Sequence, residues 1–287
     1  MADAPPLRAA IGRYAYTAAL MAGEGDAAGL GLSFADVPVI SRAFAPMVRE
    51  ARYDVSEMAI ATFLMAKAAG KPLVLLPVTL AARFQEGALL CRADGPLRGP
   101  ADLAGRRVGV RAYSQTTGMW LRGVLQDRHG VPPDAIRWVT FEGAHLPEYR
   151  DPPWAERAAP GADMARMLRE GALDAAIFGN DVPDDLVFRT VFPDPTAAGA
   201  DFQAAYGFMP VNHLLTVQRD LAQREPDRVA HLAQVFGTAV AAVSLPVGRA
   251  ALAPALARAI EFCVAQGLLV RPLSLDEVWD GLPRNVA

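Results

Sequence analysis

The chain has two cysteines, Cys91 and Cys263, in 287 residues. Two thiols so far apart supply neither a zinc cluster nor a disulfide framework, so both are expected as isolated buried thiols. Lysine is equally scarce. Lys67 and Lys71 are the only two, and arginine supplies the rest of the 28 basic residues. No block of basic residues occurs and the formal charge is −3. That argues against a nucleic-acid groove, whose affinity comes mainly from neutralised phosphates. Long apolar runs are missing too. The most apolar stretch, Val235 to Val270, is cut by Pro246, Arg249, Pro254 and Arg258, short of the roughly 20 uninterrupted residues a membrane span needs. The opening Met1-Ala2-Asp3-Ala4-Pro5-Pro6 has neither the basic nor the apolar region of a signal peptide. A soluble, cytoplasmic protein is expected, or a periplasmic one if an export signal has been removed.

Several chemistries lack their motifs. Gly23-Glu24-Gly25-Asp26-Ala27-Ala28-Gly29 misses the dinucleotide fingerprint by one position. There is no phosphate loop ending in Gly-Lys-Ser/Thr, no His-Glu-x-x-His and no Gly-x-Ser-x-Gly elbow. The four histidines, His129, His145, His213 and His231, have no ligand spacing. No cofactor and no metal are expected.

What is present is an α/β pattern. Hydrophobic residues make up 52% of the chain, and a chain of this length buries about three quarters of its unfolded surface, enough for two domains, or one large one, without staples. Apolar runs at Leu7–Ile11, Leu30–Phe34, Leu73–Val78, Ala88–Arg92, Arg107–Val110, Ile136–Thr140, Asp174–Phe178 and His213–Val217 read as strands. Between them, Glu57–Ala69, Thr117–His129 and Pro226–Val243 carry apolar residues at helical spacing. The second ends at Gly130, and the third opens on proline, which suits a first helical turn. The segment Met47 to Val55 also echoes Met167 to Ala175: in each, a helix end and a turn lead to an aspartate, Asp54 or Asp174, entering a buried strand. Such an echo suggests two lobes of like construction. Lobes of that kind are expected to hold a small ligand in a cleft between them.

Some residues carry possible chemistry. Tyr113-Ser114-Gln115-Thr116-Thr117 joins a strand to a helix start, where backbone N–H groups, the helix dipole and hydroxyls favour an anion. Ser114 or Thr116 could equally serve as a helix cap. Asp54 and Glu57 fit either a helix N-terminus, where acidic residues are favoured, or a carboxylate moving a proton. His213, opening a returning strand, fits a structural hydrogen bond or an acid–base role. Arg83 and Arg122 fit either a fork on a substrate carboxylate or solvated surface charges.

Taken together, Tyr53-Asp54-Val55-Ser56-Glu57-Met58, Pro77-Val78 before Arg83-Phe84, and Pro100 to Val110 resemble the 4,5-dihydroxyphthalate decarboxylase family. So do Gly118-Met119-Trp120-Leu121-Arg122-Gly123-Val124-Leu125 and Pro210-Val211-Asn212-His213. Departures fall at Ala15-Tyr16, where members tend to carry Asp-Arg, and at Gln85-Glu86, where they tend to carry Arg-His. The resemblance implies a type 2 periplasmic-binding-protein-like α/β fold with two crossover strands. Its first lobe would be residues 1–86 plus 210–287, and its second lobe 87–209. It implies decarboxylation of a small hydroxylated aromatic carboxylate, without cofactor. Glu57, Asp54 and His213 would move protons, and Arg83, Tyr113, Ser114, Gln115, Thr116, Thr117, Trp120 and Arg122 would bind the substrate. The alternative is a solute-binding protein that holds a small aromatic or carboxylate ligand without chemistry, since fold does not settle function.

Overall fold

A computed structural model describes residues 5–179 and 182–286. Its strands, in chain order, are β1 (Leu7–Ala10), β2 (Leu32–Phe34), β3 (Val55–Ala59), β4 (Leu73–Ala82), β5 (Leu89–Arg92), β6 (Arg107–Val110), β7 (Arg137–Thr140), β8 (Ala155–Arg157), β9 (Ala175–Ile177), β10 (Phe188–Thr190) and β11 (Val211–Gln218). They form two mixed sheets, in two compact units.

The first unit comprises Met1–Ala82, Val211–Ala257 and Pro272–Ala287, and its sheet runs β2-β1-β3-β11-β4. β1 is parallel to β2 and β3, and β11 is antiparallel to β3 and β4. Every residue of β4 from Leu73 to Leu80 is buried, which explains why it reads as a continuous apolar run rather than an alternating one. Val229, Leu232, Phe236 and Val240 of the helix Pro226–Ala241 pack into the same core as Val74, Leu76, Val78, Leu215 and Val217. Val243, expected on that face, lies beyond the helix and is half exposed.

The helix expected from Glu57 begins at Ile60, because Val55–Ala59 is a strand. Apolar spacing alone cannot separate a buried strand from the helix that follows it. Partners on both sides decide the matter: β1 pairs with Val55 and Ser56, and β11 pairs along the whole strand.

The second unit comprises Arg83–Pro210 and Arg258–Arg271. Its sheet runs β10-β5-β9-β6-β7-β8, with β6 parallel to β7 and β9, and β5 antiparallel to β9 and β10. The helix Thr116–His129 is buried from Thr116 to Leu125 and stops at Gly130, whose φ of +66° suits glycine. The boundaries therefore differ from 1–86 plus 210–287 and 87–209, most of all at residues 258–271. Phe262 packs edge-on to Trp120, with centroids 5.8 Å apart, and Gln266 bonds Arg122. Gly123 permits that approach, since a β-carbon there would stand 2.1 Å from the Phe262 ring.

Each unit builds its parallel strand pair in the same way. Asp54 accepts the Arg8 N–H at 2.8 Å and donates its own N–H to the Arg8 carbonyl at 2.8 Å. Asp174 does the same with Arg107, at 2.9 Å and 2.9 Å. Left-handed residues, Ala51 (φ 48°) and Gly171 (φ 76°), precede these aspartates. Cys91 and Cys263 are free and buried.

Candidate functional site

In the first unit the polar groups gather around one carboxylate. Glu57 lies in the middle of β3, with none of its surface exposed. Its Oε2 accepts the Gly12 N–H at 2.8 Å, and its Oε1 accepts the Tyr14 hydroxyl at 2.6 Å. The same Oε1 lies 2.5 Å from His213 Nδ1. Strand register creates this contact: His213 pairs with Ala59 across β3 and β11, so Glu57 is its diagonal neighbour two residues away on the same face. The Phe44 ring meets the imidazole edge-on, with centroids 5.2 Å apart.

A buried carboxylate is costly unless its oxygens are satisfied, and three donors do this here. With Nδ1 committed to Glu57, the imidazole has Nε2 left for an outside group. His213 is the more accessible of the two, its side chain 13% exposed against 0% for Glu57.

Tyr14 and Tyr16 stack face to face, with centroids 5.0 Å apart and planes 8° from parallel. The Tyr16 hydroxyl donates to the Leu80 carbonyl, which anchors that ring. Burial, followed by the charge of Glu57, drives the Tyr14 phenol well above its ordinary pKa, and the same two causes raise Tyr16. Tyr14 therefore stays protonated and acts as a donor.

In the second unit, the turn from Ala112 to Gln115 leads into the helix Thr116–His129. Ser114, Thr116 and Thr117 are buried, and Gln115 makes no side-chain cap. Arg83 Nη2 donates to Thr117 Oγ1 at 3.3 Å, which sets one guanidinium beside the hydroxyl turn. Gln85 fixes the local chain by donating to the Arg83 carbonyl at 2.6 Å. Glu86 is buried with Oε2 unbonded, and burial raises its pKa.

Four expected site residues are placed otherwise. Asp54 is bound to the backbone N–H and side chain of Arg8, at the start of β3, and takes no part in the Glu57 cluster. Arg122 is no clamp for a ligand: it is wholly buried, bonded to Gln266 Oε1 and the Tyr113 carbonyl, and lies 3.9 Å over the Tyr113 ring. Tyr113 is also enclosed, its hydroxyl accepting from Trp154 Nε1 at 2.9 Å. Trp120 is core, ringed by Phe202, Phe208 and Phe262. Tyr113, Trp120 and Arg122 are enclosed by one another's neighbours, Trp138, Phe262 and Gln266 among them.

Sequence reasoning did not single out Gly12 and Tyr14 as partners of Glu57. Their link is a contact across more than 40 residues, and only the aromatic pair Tyr14 and Tyr16 just after the first strand hinted at it. Among the described residues no cluster of side chains suits a metal ion, and no helix is long and apolar enough to cross a membrane.

With this geometry in view, similarity to known proteins is informative. The 4,5-dihydroxyphthalate decarboxylase of Comamonas testosteroni is 29% identical over 209 residues, covering 66% of this chain and 61% of that protein. The enzyme of the same name from Pseudomonas putida is 28% identical over 219 residues, covering 70% of this chain and 83% of that protein. The chain resembles the 4,5-dihydroxyphthalate decarboxylases. The match spans less than two thirds of the Comamonas protein's length. No family model matches the chain.

Among solved structures, the putative periplasmic sulfonate-binding protein SsuA of Methylobacillus flagellatus aligns with a TM-score of 0.63 at 11% identity, covering 96% of this chain and 91% of its own. The desulfurization enzyme DSZB aligns with a TM-score of 0.58 at 19% identity, covering 99% and 98%. At such identities the likeness establishes the fold: a two-lobed α/β structure of the periplasmic-binding-protein kind.

Proposed function

We propose that the protein is a decarboxylase-like enzyme acting on a small hydroxylated aromatic carboxylate, with His213 as its proton-transfer group. The observation that carries this reading is the Glu57–His213 contact of 2.5 Å, with Glu57 fully buried and tied to Gly12 and Tyr14. A binding protein has no need of a buried carboxylate that fixes an imidazole tautomer. A general acid needs one. The relatives named 4,5-dihydroxyphthalate decarboxylase support the reaction class.

The chemistry follows from the substrate. A phenolic hydroxyl para to the carboxylate gives up its proton and pushes an electron pair into the ring. The carbon bearing the carboxylate then takes a proton. The bond to the carboxylate breaks, carbon dioxide leaves, and the bonding pair restores the aromatic ring and the phenolate, which takes a proton back. In this reading His213 Nε2 exchanges the proton at the ring carbon. Glu57 holds the tautomer and stabilises the imidazolium. Tyr14 holds the Glu57 carboxylate in place by donating to it.

The second unit's hydroxyl turn with Arg83 is the proposed anion grip, a property of that unit that can be tested separately. Arg83→Ala should weaken binding of 3,4-dihydroxybenzoate while leaving thermal stability intact.

The second reading, a solute-binding protein, draws on the fold it has in common with SsuA. Enzymes also use this fold. DSZB is one, and a structure of a DSZB mutant holds biphenyl-2-sulfinic acid, an aromatic acid. The test is release of carbon dioxide from 4,5-dihydroxyphthalate and from mono- and dihydroxybenzoates. Release that disappears with His213→Ala supports the enzyme. Tight binding of these acids without release favours the solute-binding protein.

A further inference from the structure

We propose that Arg122 is a positioning residue that gives the start of its own helix a preference for anions without touching the anion. The inference rests on the reading that the turn before Thr116 and Thr117 binds a carboxylate.

Arg122 is the one arginine among the described residues with no measurable exposure. Burying a cation costs several kcal/mol unless it is paired, yet among the described residues no salt bridge joins it to a carboxylate, Asp151 being paired with Arg157 instead. Its bonds go to neutral oxygens. Nε donates to Gln266 Oε1 at 2.8 Å and Nη2 to the Tyr113 carbonyl at 2.5 Å, while Nη1 has no partner. The faces of Tyr113 and Trp138, 3.9 and 5.2 Å from the guanidinium carbon, supply the remaining favourable contact.

The position of this charge is informative. Helical side chains lean toward the N-terminus, and this one reaches back nine residues to the turn that precedes its helix. Nη1 lies under the first helical turn, 3.0 Å from where a β-carbon at Gly118 would stand. Glycine at 118 leaves the room that the guanidinium occupies. Gln266 completes the mount by donating to the Met119 carbonyl at 2.8 Å.

Two effects follow. The bond to the Tyr113 carbonyl and the stacking on the Tyr113 ring hold the turn that presents Ser114, Gln115, Thr116 and Thr117. A full positive charge beneath the first turn also adds to the partial charge of the helix N-terminus. In surroundings of low dielectric constant this charge acts strongly over a short distance. A buried, immobile cation costs a ligand no side-chain ordering, unlike a surface arginine.

The test compares 3,4-dihydroxybenzoate with 3,4-dihydroxybenzamide, which share a ring and differ in charge. Affinities for both are measured by titration calorimetry on the full chain, for wild type, Arg122→Gln, Arg122→Met and Arg122→Lys. The wild type should prefer the carboxylate. The two neutral variants should lose about tenfold of that preference, with amide affinity falling much less than carboxylate affinity, and the lysine variant should keep it within about threefold. A purely structural role would lower both affinities together.

An unchanged preference in folded Arg122→Gln or Arg122→Met overturns the inference and leaves the carboxylate reading standing. A wild type with no preference overturns the carboxylate reading, and this inference with it. Should neither neutral variant fold, Arg122→Lys decides. A kept ratio supports the role of charge, and a lost ratio assigns the effect to the guanidinium's hydrogen bonds and overturns the inference.

Discussion

His213 Nδ1 and Glu57 Oε1 stand 2.5 Å apart on neighbouring antiparallel strands, and Glu57 is the more deeply buried of the two. On the proposed function this arrangement divides their roles: the enclosed carboxylate would orient, and the more accessible imidazole would meet the ligand. His213→Ala should therefore reduce turnover of an accepted hydroxybenzoate by about 10²–10⁴-fold and leave the circular dichroism spectrum unchanged. Carbon dioxide release checks it, and a variant retaining near-full turnover would remove His213 from the mechanism.

Glu57 should behave differently, because it matters to stability as well as to turnover. Glu57→Leu strands the Gly12 N–H, the Tyr14 hydroxyl and the His213 ring N–H together. Breaking a buried charged network of this kind costs about 3–5 kcal/mol. Urea denaturation measures the loss. Glu57→Gln keeps an acceptor in place and should be milder in stability, yet still depress turnover.

Alkaline pH should weaken the fold through its tyrosines. Burial and the Glu57 charge raise Tyr14 and Tyr16, burial raises Tyr149, and burial with Asp127 pushes Tyr206 up to about 12. Unfolded tyrosines ionise near 10, so above that pH the unfolded chain loses protons that the folded chain retains. The stabilising contribution is complete below pH 10 and declines as pH rises through the raised folded values. Denaturation midpoints at pH 9, 10 and 11 should fall in that order, less steeply in Tyr14→Phe.

Asp54 and Asp174 offer a matched pair of controls. Each accepts the backbone N–H of an arginine within the first two residues of the adjacent parallel strand. Alanine at either should cost about 1–2 kcal/mol and leave ligand affinity unchanged. An Asp54→Ala variant that folds but loses turnover would restore Asp54 to the catalytic group.

The α/β class was legible because strands buried on both faces, such as β4, leave continuous apolar runs, and because glycine and proline mark helix ends chemically. The boundaries of β6 could be read residue by residue for that reason. The echo around Asp54 and Asp174 was legible for a different reason: a helix end, a left-handed turn and an aspartate are all local. His213, Glu57, Arg83 and the hydroxyl turn can be nominated from residue type together with local position and the resemblance. Tyr113, nominated by its segment, Arg122, by its guanidinium, and Trp120, by the resemblance alone, are interior, because none of these signals reports what covers a side chain.

By itself, then, the sequence determined the periodicities, the turns and the supply of reactive groups, since these depend on neighbours within a few residues. Only the tertiary structure decided that Val55–Ala59 is a strand, that Tyr14, Glu57 and His213 meet, and that Arg122 is enclosed by Tyr113, Trp138 and Gln266. Those outcomes depend on strand pairing and packing between residues far apart in the chain, where burial changes the chemistry of a side chain without altering a single letter.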